Sequence, residues 1–236
     1  MTNSEEHWLG PFRQPLLTAV YMVALLILLH VLRLLHVLPY SPADWGLYPR
    51  RVFGLHGILT APLAHSGWKH LLSNAVPLLA MITVIFAFFR RVAWQAFIMV
   101  YLLTGVAVWL IARPVFHVGA SGVVYGLVSF VFWSGVFRRS LKSIVLSLIV
   151  IVVYTPMFAG ILPNQEGISW ESHLLGGAVG ILVAWWFKAE LEPEEYKEEY
   201  EPDTRSRFFD PDTFDKTRAE REREQLFGQD RAPGES

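Results

Sequence analysis

Ser121 and His173 are the residues of this sequence best suited to chemistry on an acyl group. Ser121 stands in His117-Val118-Gly119-Ala120-Ser121-Gly122, and His173 in Trp170-Glu171-Ser172-His173 followed by Leu174-Leu175-Gly176-Gly177. A serine hydroxyl is a weak nucleophile until an adjacent base takes its proton. Imidazole is the side chain most often used for that transfer, and it can return the proton to a leaving group. Glu171 is two residues from His173, so on a helix it points elsewhere. With no other acidic group placed to orient the imidazole, the pattern predicts a two-residue dyad. A third cluster, His65-Ser66-Gly67-Trp68-Lys69-His70-Leu71-Leu72-Ser73-Asn74, sets His70 and Asn74 four apart on one helical face. These two side chains, with the backbone N–H of Ser121 near a helix start, are three donors that could meet a developing oxyanion. Tyr125 lies one turn beyond Ser121 on the same face, where it can pack against the imidazole and fix its angle.

The elements that must position these groups are written in the apolar runs. A helix needs ~20 mostly apolar residues to cross a bilayer. Six segments come near this, at about 15–38, 69–89, 92–112, 117–137, 141–158 and 170–187. None shows the strict alternation of a barrel strand. Backbone groups in lipid must bond within their own segment, so helices are expected. The predicted fold class is all-α: a polytopic membrane protein built as a bundle of six transmembrane helices. The first run is too long for a signal-peptide core and reads as a retained span.

Crossing counts then bring the clusters together. From His70 to Ser121 the chain crosses twice, and from Ser121 to His173 twice again. All three clusters return to one face, and the 1.5 Å rise per residue puts Ser121 roughly 5–10 Å inside its span. Gly122 and Gly126 form a small-xxx-small pair in the fourth span, and Gly176 and Gly180 another in the sixth; such pairs let backbones approach closely in lipid. His173, Gly176, Gly177 and Gly180 share a helical face, so packing of that face on the fourth span sets His173 beside Ser121.

Charge divides the chain. Residues 1–187 carry 11 Lys+Arg against 5 Asp+Glu, a net of +6, whereas 188–236 carry 9 against 16, a net of −7. Arg90, Arg91, Arg138, Arg139, Lys142 and Lys188 flank the spans on one side against Arg50, Arg51, Lys69 and Arg113 on the other, a weak bias that places the first side in the cytoplasm. The expected organisation is a short cytoplasmic N-terminus over 1–14, a six-helix core over 15–187 and a charged cytoplasmic tail over 188–236 without fixed structure, with a short helix from Asp212 to Leu226. Between spans one and two, Pro39-Tyr40-Ser41-Pro42, Trp45, Tyr48 and Phe53 predict a structured segment in the membrane interface. There is no cysteine, which excludes disulfides, thiol nucleophiles and Cys-ligated metals. A zinc site from His65, His70 and His173 is conceivable, but no His-Glu-x-x-His accompanies them; no cofactor and no metal is expected.

Each group also has a plain structural reading. A serine in a transmembrane helix usually bonds its own backbone. His70 and Asn74 could merely cross-link helices. His30, Arg33 and His36, near the end of span one, read as snorkelling side chains. Ser66, Ser73 and Ser129 read as helix contacts. What favours chemistry is the shared depth of three clusters with complementary roles.

Gly119-Ala120-Ser121-Gly122, His70-Leu-Leu-Ser-Asn74 and His173-Leu-Leu-Gly176-Gly-Ala-Val-Gly180, in this order and on spans two, four and six, resemble the rhomboid family of intramembrane serine proteases over roughly residues 50–187. The resemblance implies a six-helix core with Ser121 as nucleophile and His173 as base. It implies an oxyanion hole of His70, Asn74 and the Ser121 amide, with Gly119, Gly122, Gly176 and Gly180 in support. Tyr125 matches an aromatic that stacks on the base, and His65 a structural histidine. Substrates would be single-pass transmembrane proteins, cut near the outer face at helix-destabilised segments with small side chains. The partners expected are these substrates and the lipid bilayer, with no nucleic acid. The location expected is a bacterial inner membrane. Two other readings are a catalytically silent relative that binds or escorts membrane proteins, and a small transporter. The apolar lower halves of spans two, four and six argue against the transporter.

Overall fold

The computed structural model describes residues 5–39, 41–163, 169–195 and 217–228. Its long helices form where the sequence is apolar and uninterrupted: α1 (Glu5–Leu34), α4 (Trp68–Phe88), α5 (Ala93–Ile111), α6 (Ser121–Arg138), α7 (Leu141–Tyr154) and α8 (Trp170–Trp186). Between α1 and α4 lie the one-turn helices α2 (Pro42–Trp45) and α3 (Gly57–Thr60) and two 3-10 turns. Tyr40 falls outside the described residues; the rest of this connection is the structured segment the aromatics predict. The described part of the tail contains α9 (Arg218–Gly228), shifted from the expected helix, whose start at Asp212 lies outside the described residues. The other tail residues beyond Glu195 also lie outside them. The chain divides into two units, 1–196 and 197–236.

Four helices, Gly10–Leu34, α4, α5 and α6, are long and apolar enough to cross a membrane. The other two expected spans are shorter, with 14 residues in α7 and 17 in α8. The reason is local. At Thr155-Pro156 the chain tightens into a 3-10 stretch over Thr155–Ile161, because proline offers no N–H to continue the α-ladder. At the head of α8, Ser169 caps the helix through its hydroxyl, which accepts from the Ser172 N–H.

The bundle is built around α6, the most enclosed of the four long helices. It packs most closely on α8. A Cβ added at Gly122 would lie 3.0 Å from the Ser172 carbonyl, and one at Gly126 3.2 Å from that of Gly176. The small-residue faces therefore do meet, backbone against backbone. Ser129 Oγ donates across this seam to Gly177 O at 2.7 Å. Leu71, Ile85, Val100, Leu127, Phe130 and Val183 fill the interior. Leu28, Val76, Ile98, Leu148, Val152 and Trp186 face outward, exposed. An outer surface this rich in large apolar side chains is the pattern of a bundle solvated by lipid.

Two expectations are corrected here. The fourth span does not begin at His117: residues 117–120 are non-helical, and Ser121 is the first residue of α6 rather than one or two turns inside it. His117 is instead held by a two-bond antiparallel bridge to Leu47. His30 and Arg33 do not snorkel either. They are 0% and 3% exposed, because the connection to α4 folds over them: Arg33 donates to the carbonyls of Pro39 and His65, and its guanidinium lies 5.7 Å over Trp45. His36 is exposed, as expected.

At the end of the bundle away from Ser121, the chain after α8 folds back on the core. Glu195 accepts from Arg138 (2.9 Å), Ser140 (2.6 Å) and Ser143, and Glu192 accepts the Arg91 N–H at 3.0 Å. Arg138 also stands 4.7 Å over the Phe89 ring. This segment ties together the turns between α4 and α5 and between α6 and α7.

Candidate active site

Ser121 reaches its position through the residues before it. Gly119 has φ +105°, a backbone state that L side chains rarely adopt, and a Cβ there would lie 2.6 Å from His70 Nε2. Glycine thus permits both the turn and the approach of the imidazole. The Gly119 N–H donates to Ala61 O at 2.8 Å, and the Ala120 N–H donates to His65 Nε2 at 3.4 Å. His65 is 1% exposed, and burial, with His70, His30 and Arg33 nearby, pushes its pKa down to about 3. It is therefore neutral at ordinary pH and able to accept that bond.

The head of α8 is anchored to the same loop. His117 Nε2 lies 3.1 Å from the Arg113 carbonyl, so it donates; its Nδ1 then accepts from Ser169 Oγ at 2.6 Å. Burial, against the pull of that carbonyl bond, keeps His117 below its ordinary pKa. Glu171 pairs with Arg113 at 2.9 Å and does not turn towards His173. The fourth residue of α8 then falls beside the first of α6. His173 Nε2 lies 2.8 Å from Ser121 Oγ.

Two further contacts fix the imidazole. Tyr125 stacks on it with ring centroids 4.1 Å apart and planes 9° from parallel. On its other side, His173 Nδ1 lies 2.8 Å from the carbonyl of Gly160 in the 3-10 stretch after α7. A carbonyl only accepts, so Nδ1 carries the proton and Nε2 offers a lone pair to the Ser121 O–H. The Tyr125 hydroxyl donates to Met157 O in that same stretch.

His70 and Asn74, on α4, line the same cavity as Ser121 and His173. Ser66 Oγ is 3.1 Å from His70 Nδ1, leaving Nε2 turned towards the Gly119 loop. Asn74 Nδ2 donates to His70 O at 2.7 Å, which occupies one of its two N–H groups. The cavity is open and has a volume of about 720 Å³; Lys69, Arg113, Phe116 and Met157 are among its other lining residues. Among the described residues, no group of three or more His, Asp or Glu is arranged to hold a metal ion.

The sequence pattern brought Ser121, His173, Tyr125, His70 and Asn74 to one place, and the structure sets them around one cavity. Sequence reasoning missed Gly160, since a backbone carbonyl has no side-chain signature. It assigned Ser66 to helix contacts, although its spacing of four from His70 was a visible signal.

A helical bundle with an apolar exterior, four of whose helices are long and apolar enough to cross a membrane, is a multi-pass integral membrane protein. Comparison of the sequence with known families matches residues 53–190 to the Rhomboid domain. The chain therefore belongs to the rhomboid family. Over 173 residues it is 34% identical to an uncharacterized protein of Mycobacterium tuberculosis, covering 69% of this chain and 72% of that one. An uncharacterized protein of Mycobacterium leprae is 32% identical over 145 residues, 57% of each chain.

Proposed function

We propose that this protein is an intramembrane serine endopeptidase acting on transmembrane protein substrates through a Ser121–His173 dyad. The 2.8 Å approach of His173 Nε2 to Ser121 Oγ, within an open cavity that His70 and Asn74 also line, is the observation that carries this reading. In the mechanism it supports, Ser121 Oγ attacks the scissile carbonyl carbon while its proton passes to His173 Nε2. The carbonyl oxygen becomes an oxyanion facing His70 Nε2, the free Asn74 N–H and the Ser121 amide. Collapse breaks the C–N bond, and His173 gives its proton to the departing amine. A water molecule entering through the cavity mouth loses a proton to His173 and attacks the acyl ester. Its collapse releases the new carboxyl end and returns the proton to Ser121.

The substrates proposed are single-pass membrane proteins, reached where a helix is easily unwound and its side chains are small. An extended peptide exposes the carbonyl that a helix keeps bonded. The basic flanks at Arg90, Arg91, Arg138, Arg139 and Lys142 favour a cytoplasmic far end, with the cavity opening on the outer side of a bacterial inner membrane. We take residues 15–187 as the working core, with 1–14 and 188–236 as its cytoplasmic extensions.

The test is cleavage of a model single-pass substrate by the purified full chain in proteoliposomes. The wild type is expected to yield two fragments, and Ser121→Ala and His173→Ala none. Cleavage that persists in Ser121→Ala overturns the mechanism. A folded wild type that binds substrates but never cuts them would leave the reading of a silent escort protein.

A further inference from the structure

Among the described residues, no carboxylate is bonded to the imidazole of the dyad. Glu171, the acidic residue nearest His173 in sequence, is drawn to Arg113 at 2.9 Å. A neutral imidazole has two tautomers, and only the one protonated on Nδ1 can accept the serine proton at Nε2. In triad enzymes a buried aspartate makes that choice, and supplying the wrong tautomer costs about 10⁴ in rate. Here the atom opposite Nδ1 is the Gly160 carbonyl oxygen at 2.8 Å.

Resting on the dyad reading above, we propose that the Gly160 carbonyl is the positioning group of this site, taking the place of a third catalytic side chain. Three observations bear on it. The residue is glycine, and a Cβ at 160 would press on the Tyr125 hydroxyl and come within 3.0 Å of His173 Nδ1, so any larger residue would drive the carbonyl off the ring. The same 3-10 stretch places Met157 O on the Tyr125 hydroxyl, and Tyr125 in turn stacks on His173. One short segment thereby holds the imidazole both by its edge and, through Tyr125, by its face. That segment also borders the cavity, where Met157 is part of the wall. The tautomer thus depends on a connection between helices rather than on a helix interior, and displacement of residues 155–161 would release the base from its productive form.

The experiment has two arms. In the first, the full chain is labelled with ¹⁵N-histidine in nanodiscs, and the His173 signal is assigned by its loss in His173→Gln. The expected result is a neutral ring protonated on Nδ1, and Gly160→Ala should erode that preference. In the second, the amide between residues 160 and 161 is replaced by an ester, using the α-hydroxy analogue of isoleucine. This makes the Gly160 carbonyl a poorer acceptor without adding an atom. The same replacement at Leu162 removes a local N–H bond but leaves the Gly160 amide intact. Labelling of Ser121 by a fluorophosphonate should slow roughly three- to tenfold in the first ester, as for a weakened neutral hydrogen bond, and change less than about twofold in the second. Nε2 protonation, or equal rates in the two esters, overturns the proposal. If the folded wild type does not react with fluorophosphonate at all, the protease reading falls. The tautomer measurement then decides the Gly160 contact alone.

Discussion

The two ends of the bundle both bury polar groups, and they do so in opposite ways. Around the dyad the side chains bond largely to backbone carbonyls and border an open cavity of about 720 Å³, with the half-exposed Arg113 paired to Glu171 beside it. At the far end the charged groups are closed in on both sides of the pair. Arg138 and Glu195 pair at 2.9 Å with their side chains 1% and 2% exposed, and Ser140, Ser143 and the Glu192 N–H also donate to the carboxylate. Removing one partner of a buried ion pair leaves an uncompensated charge, so the far end is built to hold. At the dyad end, the proposed mechanism has removal of the Ser121 hydroxyl leave the other bonds in place and abolish only the chemistry. The lesson is that polar residues at membrane depth divide by access to water and by what satisfies them, rather than by burial.

That contrast can be broken by separating activity from stability at each end. Ser121→Ala should have the largest effect. Cleavage of a model substrate should fall to background, while thermal unfolding in detergent changes by no more than about 1 kcal/mol, the net worth of one partly exposed hydrogen bond. Arg138→Met should do the reverse. It should lower unfolding stability by about 3–5 kcal/mol, with the activity of the folded fraction retained. Adding Glu195→Met should recover much of that loss, a coupling readable in a double-mutant cycle. Asn74→Ala should slow turnover by a factor on the order of 10–1000, the range for one oxyanion donor. An effect on stability alone would reassign Asn74 to its bond with the His70 carbonyl.

The smallest effect concerns pH. Although burial opposes it, the hydroxyls of Ser140 and Ser143, the Glu192 amide and Arg138 together hold Glu195 below its ordinary pKa. A carboxylate depressed in the folded state contributes stability above its unfolded pKa, about 4.3, and loses it as pH falls through the lower folded value. Thermal stability should therefore decline below about pH 4.5, and Glu195→Gln should flatten that decline. Cleavage measured at neutral pH would not report it.

Much of this was legible in the residues. Six apolar runs gave the helices, and paired glycines at spacings of four gave the α6–α8 seam. Crossing parity alone brought Ser121, His173 and His70 to one end. What escaped has a common cause. The late start of α6 depends on Gly119 adopting a positive φ and on His117 pairing with Leu47, a contact between distant segments that local pattern does not encode. Burial of His30 and Arg33 depends on where the connection to α4 folds. The clasp by Glu192 and Glu195 lies in a stretch whose composition reads as solvated tail, because charge runs do not disclose a partner such as Arg138. The orienter of His173 is a backbone atom, invisible to any search of side chains.

The central claim is a reactive hydroxyl activated by one imidazole. The most direct measurement is fluorophosphonate labelling of the detergent-solubilised full chain, with the modified residue located by mass spectrometry. Adduct on Ser121 in the wild type, and none in Ser121→Ala or His173→Ala with both variants folded, is the predicted result. An adduct at another residue, or undiminished labelling of Ser121 without His173, would contradict it.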